Sequence, residues 1–287
     1  MTARAELIAA AFKWACLAEL DAPKPGNVHA FAGGHGMAAG QFIASAEAAA
    51  PPLSADGARI GARILGAVEA TFAAVGANTN LGIILLCAPL AAAAEARARD
   101  FRAALVNVLE SLDVEDADLA FHAIARAAPA GLGRSARHDV FESATVGLLQ
   151  AMQQASDRDR IARQYATHFA DVFDVGLAAF ETGTRQYAGQ QWATLATYLG
   201  FLAAFPDTHI LRKFGSATAE EVQRRAAVFQ CSLQATGQPT VLLPELLAWD
   251  AALKADGVNP GTSADLTVAT LFAHRLKCVL PSIRNSG

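Results

Sequence analysis

Apolar residues recur along this chain at helical spacing. Ile60, Ile64, Val68, Phe72 and Val75 advance by three or four positions and share one face. Phe101, Leu105, Val108, Leu109 and Leu112 form a second stripe. Ile161, Tyr165, Phe169, Phe173, Leu177 and Phe180 form a third, with Arg163, Gln164, Thr167, Asp171 and Asp174 on other faces. Trp192, Leu195, Leu199, Leu202 and Phe205 form a fourth, and Leu266, Leu271, Phe272 and Leu276 indicate another near the C-terminus. No segment shows the two-residue alternation of a half-buried strand. One-sided helices pack on a common core, so the pattern predicts an all-α fold: a single compact bundle domain over 1–287 with roughly ten helices. Leu81 to Ala94 is apolar nearly throughout but is shorter than the roughly 18 to 20 residues of a membrane helix. Pro89 interrupts it, and it reads as a buried helix.

Composition strengthens the helical reading. The chain holds 67 alanines in 287 residues. Alanine is the best helix former and is depleted from strands. A mean hydropathy of +0.26 with 17% charged residues excludes a disordered chain. The net charge of −4, without a basic cluster, removes the usual reason to expect nucleic acid as a partner. Arg4 and Glu6 interrupt the N-terminus within a helical pattern, unlike a signal peptide. Cys16, Cys87, Cys231 and Cys278 are scattered through apolar runs without metal-ligand spacing. They are expected to be reduced, buried thiols of a cytoplasmic protein that does not enter a membrane.

Glycine and proline punctuate the helices, and four of these interruptions carry polar chemistry. In the first, Pro23-Lys24-Pro25-Gly26-Asn27-Val28-His29, two prolines stiffen a helix exit. Gly26 opens the backbone to an anion, and Lys24 supplies a point charge suited to phosphate. His35 follows on a glycine-flanked stretch. In the second, Gly76 to Gly82, residues Asn78, Thr79 and Asn80 precede an apolar helix, where they would cap it or hold an anion. The third runs from Pro206 to Gly215. Asp207 there is an N-cap or an oxygen ligand for Mg²⁺, and His209, Arg212 and Lys213 lie within about two turns of it. The fourth is Asn259 to Leu266, where Thr262 or Ser263 would cap the last helix and Asp265 would sit in its first turn. Gly261 and Ser263 would cradle phosphate in the alternative reading, with Asp265 as a second metal-side carboxylate. Taken singly, each segment is equally explained by caps and turns. Weaker candidates are Gly131 and Gly133 with His138 and Asp139, and Glu19 and Glu47 beside the first loop.

Taken together and in order, these segments resemble the triphosphoribosyl-dephospho-CoA synthase family, the enzymes serving citrate lyase and malonate decarboxylase. The shared features are Glu19-Leu20 followed by Pro23 to Gly26, then Gly34-His35-Gly36-Met37, then Gly76 to Thr79. Asp207-Thr208 with Arg212 to Gly215 follows, and last comes Pro260 to Leu266. The resemblance spans roughly residues 15 to 275. Where the family has Asn-Thr-His-Lys-Gly, this chain has Asn78-Thr79-Asn80-Leu81-Gly82. The family's Asp before Met is Gly36 here, and its Asn after Asp-Thr is His209. The centre of the chain is similar to divergent relatives in archaea and methylotrophic bacteria.

The resemblance implies an all-helical transferase that moves a 5-triphosphoribosyl group from ATP to 3'-dephospho-CoA and releases adenine. It also implies Mg²⁺ held by Asp207 and Asp265, phosphate held by Lys24 and Arg212, and His35 as base or positioning group, with Asp207 and Asp265 beside the chemistry. Gly26, Asn78, Thr79, Asn80, His209, Lys213, Gly261 and Ser263 would complete the nucleotide site. Two other readings stay open: a related transferase or ligase on another coenzyme precursor, as in a one-carbon pathway, and a non-catalytic nucleotide-binding helical protein. A homo-oligomer is compatible with any of them.

Overall fold

The computed structural model describes residues 2–33, 39–96, 98–127 and 140–285. Those residues are all-helical and contain no strand. In chain order the α-helices are α1 (Ala3–Leu20), α2 (Ala39–Leu53), α3 (Ile60–Val75), α4 (Leu81–Glu95), α5 (Phe101–Glu110), α6 (Val114–Ala127) and α7 (Leu148–Ala155). They continue with α8 (Arg160–Ala166), α9 (Leu177–Gln186), α10 (Gln190–Ala204), α11 (Thr208–Phe214), α12 (Ser216–Ala235), α13 (Leu243–Ala255) and α14 (Gly261–Asn285). The described residues thus hold fourteen α-helices where the apolar pattern suggested roughly ten. The difference lies in elements such as α7, α8 and α11, of eight, seven and seven residues, which are too short to display a stripe.

The stripe from Ile161 to Phe180 is also not one helix. It comprises α8, a left-handed pair at His168 and Phe169 (φ 52° and 60°), a π-helical turn Asp171–Gly176, and α9. The reason is geometric. Apolar residues repeating every four positions drift about 40° per step around a 3.6-residue helix. A straight helix would carry the stripe off its buried face. The left-handed pair and the wider π turn break it, and Tyr165 and Phe169 before the break and Leu177 and Phe180 after it are each buried.

The chain forms two compact units, with divisions inside α1, α2 and α14 and between Phe169 and Ala170. The first comprises Met1–Ala15, Gln41–Phe169 and Phe272–Gly287. Its core includes Ile8, Phe12, Ile64, Ile84, Leu105 and Phe272. Phe12 and Phe272 meet edge to face at 5.8 Å. Helix α4 is buried over almost all its surface, as an all-apolar helix must be. Tyr165 Oη donates to Leu85 O at 2.6 Å. Gly61 lets α3 approach α6, since a Cβ there would lie 2.7 Å from Asp116 O. Arg63, 1% exposed, donates to Ala58 O, Leu53 O and both carboxylate oxygens of Glu95 at 2.8 to 3.0 Å.

The second unit comprises Cys16–Gly40 and Ala170–Leu271. Its core is built from Trp192, Leu195, Tyr198, Leu199 and Leu202 of α10 with Ile210, Val222, Phe229, Leu246 and Leu253. Tyr187 Oη donates to Leu233 O, and Phe229 stacks on Trp249 at 5.1 Å. The thiols are free, but only Cys87 is fully buried; Cys231 and Cys278 are exposed, contrary to the sequence expectation. Both lie on outward faces of long helices whose apolar neighbours mask that placement in the sequence. Among the described residues no helix is long and apolar enough to cross a membrane.

Candidate functional site

Three of the four polar segments lie in the second unit and are hydrogen-bonded to one another. The exit from α1 carries Glu19, and the chain then turns through Pro23 and Pro25. Lys24 folds inward and is fully buried. Its Nζ pairs with Glu19 Oε1 at 2.9 Å and donates to Val28 O at 2.6 Å. Burial pushes the Glu19 carboxyl up and the Lys24 amine down, and the pair's mutual attraction opposes both shifts. In this arrangement Lys24 braces the turn instead of facing a phosphate.

Gly26 sits at φ +80°, and a Cβ there would lie 2.8 Å from Pro260 Cδ and 2.9 Å from Leu253 Cδ1. Glycine is thus required by conformation and by packing. Its N–H donates to Asp250 Oδ1 at 2.8 Å. Tyr198 Oη donates to Pro25 O at 2.7 Å, and Asn27 Nδ2 to Asn259 Oδ1 at 2.9 Å. These bonds join the Pro-Lys-Pro-Gly turn to α10, α13 and the turn before α14.

Asp207 joins two helix starts. Its Oδ1 accepts from the N–H groups of His209 and Ile210 at 2.9 and 3.2 Å, capping α11. Its Oδ2 accepts from Ser263 N–H and Oγ, both at 2.8 Å, at the start of α14. Four donors occupy the roughly four lone-pair positions of a carboxylate. Burial pushes the carboxyl up, against the hydrogen bonds from Ser263, Ile210 and His209. Thr208 and Thr262 share a hydroxyl hydrogen bond of 3.0 Å, and Thr262 Oγ1 also accepts from His209 N–H. The His209 ring packs on Gly261, where a Cβ would lie 3.2 Å from its Nδ1.

Arg212 is half-buried and Lys213 exposed on α11. Asp265 is half-buried in the first turn of α14. The Cys16 thiol is pushed up by burial and then by the negative charges of Glu19 and Asp265, so both carboxyls lie near the end of α1. Tyr198 is surrounded similarly: burial, Asp207, Glu19 and Asp250 all push its hydroxyl up.

The remaining segment, Gly76 to Gly82, belongs to the first unit. Asn78 Oδ1 accepts from Leu81 N–H at 3.2 Å, and Thr79 Oγ1 donates to Ser45 Oγ at 2.6 Å. Asn80 is 6% exposed, and its buried Nδ2 has no hydrogen-bond partner among the described residues. His35, Gly131, Gly133, His138 and Asp139 lie outside the described residues.

Sequence reasoning missed Asp250, Lys254 and His29. Lys254 Nζ donates to Asp250 Oδ2 at 2.8 Å and to Ala32 O at 3.2 Å. His29 Nε2 lies 3.3 Å from Asp250 Oδ2. Burial alone would raise the Asp250 carboxyl, but hydrogen bonds from His29, Lys254 and Gly26 hold it below the ordinary range. The available signal was the four-residue spacing of Asp250 and Lys254, which puts them on one helix face.

Mg²⁺ takes few protein carboxylates and completes its shell with waters and phosphates. Asp207 does not fit such a role, because its oxygens are filled and enclosed. Among the described residues no group of three or more His, Cys, Asp or Glu side chains is arranged to hold a metal.

Residues 5–282 match the family of ATP:dephospho-CoA triphosphoribosyl transferases. The chain belongs to this family. A relative from Stutzerimonas stutzeri (strain A1501), provisionally named a 2-(5''-triphosphoribosyl)-3'-dephosphocoenzyme-A synthase, is 32% identical over 117 residues. That match covers 40% of this chain and 39% of the relative. The crystal structure of an Archaeoglobus fulgidus protein, provisionally named a triphosphoribosyl-dephospho-CoA synthase, is also similar, with a TM-score of 0.62 and 26% identity. It covers 81% of this chain and 97% of its own.

Proposed function

We propose that the protein transfers the 5-triphosphoribosyl group of ATP to a ribose hydroxyl of 3'-dephospho-CoA, releasing adenine. Family membership over residues 5–282 carries this reading. The joining of three family-like turns in one unit supports it. The hydroxyl oxygen attacks the anomeric carbon of ATP as the bond to adenine breaks. Such a reaction needs cations for the triphosphate, an acceptor for the hydroxyl proton, and negative groups near the developing positive charge on the ribose. Arg212 and Lys213 are the cations on α11 we assign to phosphate. Asp265 is the carboxylate we assign to the substrate's Mg²⁺ or to the charged ribose. Asp207 holds α11 and α14 in register, and His209 lies between them against Gly261. The cytoplasm is the compartment we assign, because it supplies ATP.

The second unit offers these groups whatever the acceptor. Leu81 stands where the family pattern has a cation, and Leu81 is largely buried. This favours, as a second reading, the same transfer to another coenzyme precursor. The test is incubation with ATP, Mg²⁺ and dephospho-CoA, with free adenine measured by chromatography. Adenine release that depends on dephospho-CoA supports the first reading. Release that needs a different acceptor from cell extract supports the second. No adenine with either defeats both.

A further inference from the structure

His29 follows the Lys24–Gly26 turn and is 1% exposed. Its Nε2 lies 3.3 Å from Asp250 Oδ2 and 3.5 Å from Lys254 Nζ. Asp250 is fixed in turn by Gly26 N–H and by Lys254, both at 2.8 Å. Among the described residues the other ring nitrogen, Nδ1, is buried and has no hydrogen-bond partner. Buried polar atoms without partners are rare and call for a reason. A neutral imidazole carries one N–H. The Asp250 carboxylate, which only accepts and lies closer to Nε2 than the Lys254 ammonium, favours that proton on Nε2 and a bare lone pair on Nδ1. An imidazole held on one nitrogen by a carboxylate and bare on the other is the arrangement of a general base.

We propose that His29, oriented by Asp250, is the general base that takes the proton of the acceptor hydroxyl. The assignment rests on the triphosphoribosyl transfer proposed above. In that step the acceptor oxygen forms a bond to the anomeric carbon, and its proton passes to His29 Nδ1. The bond from the anomeric carbon to adenine breaks, and its electron pair leaves with adenine, which is protonated by water. The imidazolium then returns its proton to solvent, so no net proton is gained or lost.

The surroundings suit a base at neutral pH. Burial holds the imidazole below its ordinary range, more strongly than the Asp250 hydrogen bond raises it. Lys254 on α13 and Lys24 within the turn push the same way, while Glu19 is paired with Lys24. The turn after His29 is exposed at Ala30, Phe31 and Gly33. Phe31 is 56% exposed, with its ring 6.0 Å from the imidazole.

The test compares wild type with His29→Gln for adenine release over a pH series. The expected result is a fall in kcat of about 10²- to 10⁴-fold with KM for ATP little changed. The acidic limb of the kcat profile should vanish with it. Wild-type release matched by a folded His29→Gln protein with the same acidic limb overturns the base alone. No release from wild type with any acceptor defeats the transfer itself. If His29→Gln does not fold, the long-range ¹H–¹⁵N spectrum of the wild type decides. An Nε2–H tautomer whose Nδ1 signal moves on adding ATP and dephospho-CoA supports the base, and an Nδ1–H tautomer overturns it.

Discussion

Each unit buries a charged network, and the two networks differ in how completely they are satisfied. In the first unit Arg63 has an acceptor at each of its three nitrogens, two of them main-chain carbonyls. Glu95, its counter-ion, also accepts from Gly57 N–H. Four hydrogen bonds hold the Arg63 guanidinium, and each of its nitrogens has an acceptor. In the second unit Asp207 has four donors, yet the neighbouring Asp250 network ends in an imidazole nitrogen without a partner among the described residues. Buried charge alone therefore does not mark a reactive site. Unmatched capacity beside the charge is what sets the Asp250 network apart, because there the protein has desolvated an atom without giving it a bond.

Four substitutions probe this contrast. The largest effect is expected from Arg63→Ala. It strands Glu95 and two carbonyls and should destabilise the fold by about 3 to 5 kcal/mol in urea unfolding. A loss below about 1 kcal/mol would show the network to be dispensable and remove the contrast. Asp207→Ala comes next. It deletes the caps of two helices, at roughly 2 to 4 kcal/mol for the pair. If Asp207 were a metal ligand instead, added Mg²⁺ would raise the unfolding midpoint of wild type but not of this variant.

Lys24→Met is expected to cost roughly 2 kcal/mol at neutral pH, because it leaves Glu19 buried without its cation. A carboxyl whose folded pKa is raised favours the folded state once protonated, so this penalty should shrink as pH falls. The double variant Glu19→Gln with Lys24→Met should recover most of the loss. The smallest effect is expected from Asp250→Asn, in the acid limb of stability. The Asp250 carboxyl lies below its ordinary value. Its contribution is therefore present above about pH 4 and disappears as pH falls through the lower folded value. Thermal unfolding of wild type and variant should differ above that window and converge below it.

Much of this was legible in the sequence, and the exceptions have physical causes. The stripes of α3, α5 and α10 translate directly into buried faces, because an amphipathic helix carries its own periodicity. A cap at Asp207 was one of two readings open in the sequence, since that chemistry is local; the two bonds from Ser263 that fill its other oxygen, and so exclude the Mg²⁺ reading, were not legible. The direction of Lys24 was not legible. Its inward turn depends on Glu19 and on Val28 O, a pairing that local spacing does not reveal. The partnership of His29 with Asp250 joins residues 221 positions apart, and a single sequence carries no trace of such a pairing.

Gly26 bears on how chains like this one are recognised. Its placement against Pro260 and Leu253 ties the Pro-Lys-Pro-Gly signature to a joint between distant stretches of backbone, whatever passes through the catalytic centre. A signature of that sort reports shared ancestry of the scaffold. Divergence in what the enzyme acts upon would leave those four letters untouched and would have to be sought among side chains that the joint does not constrain.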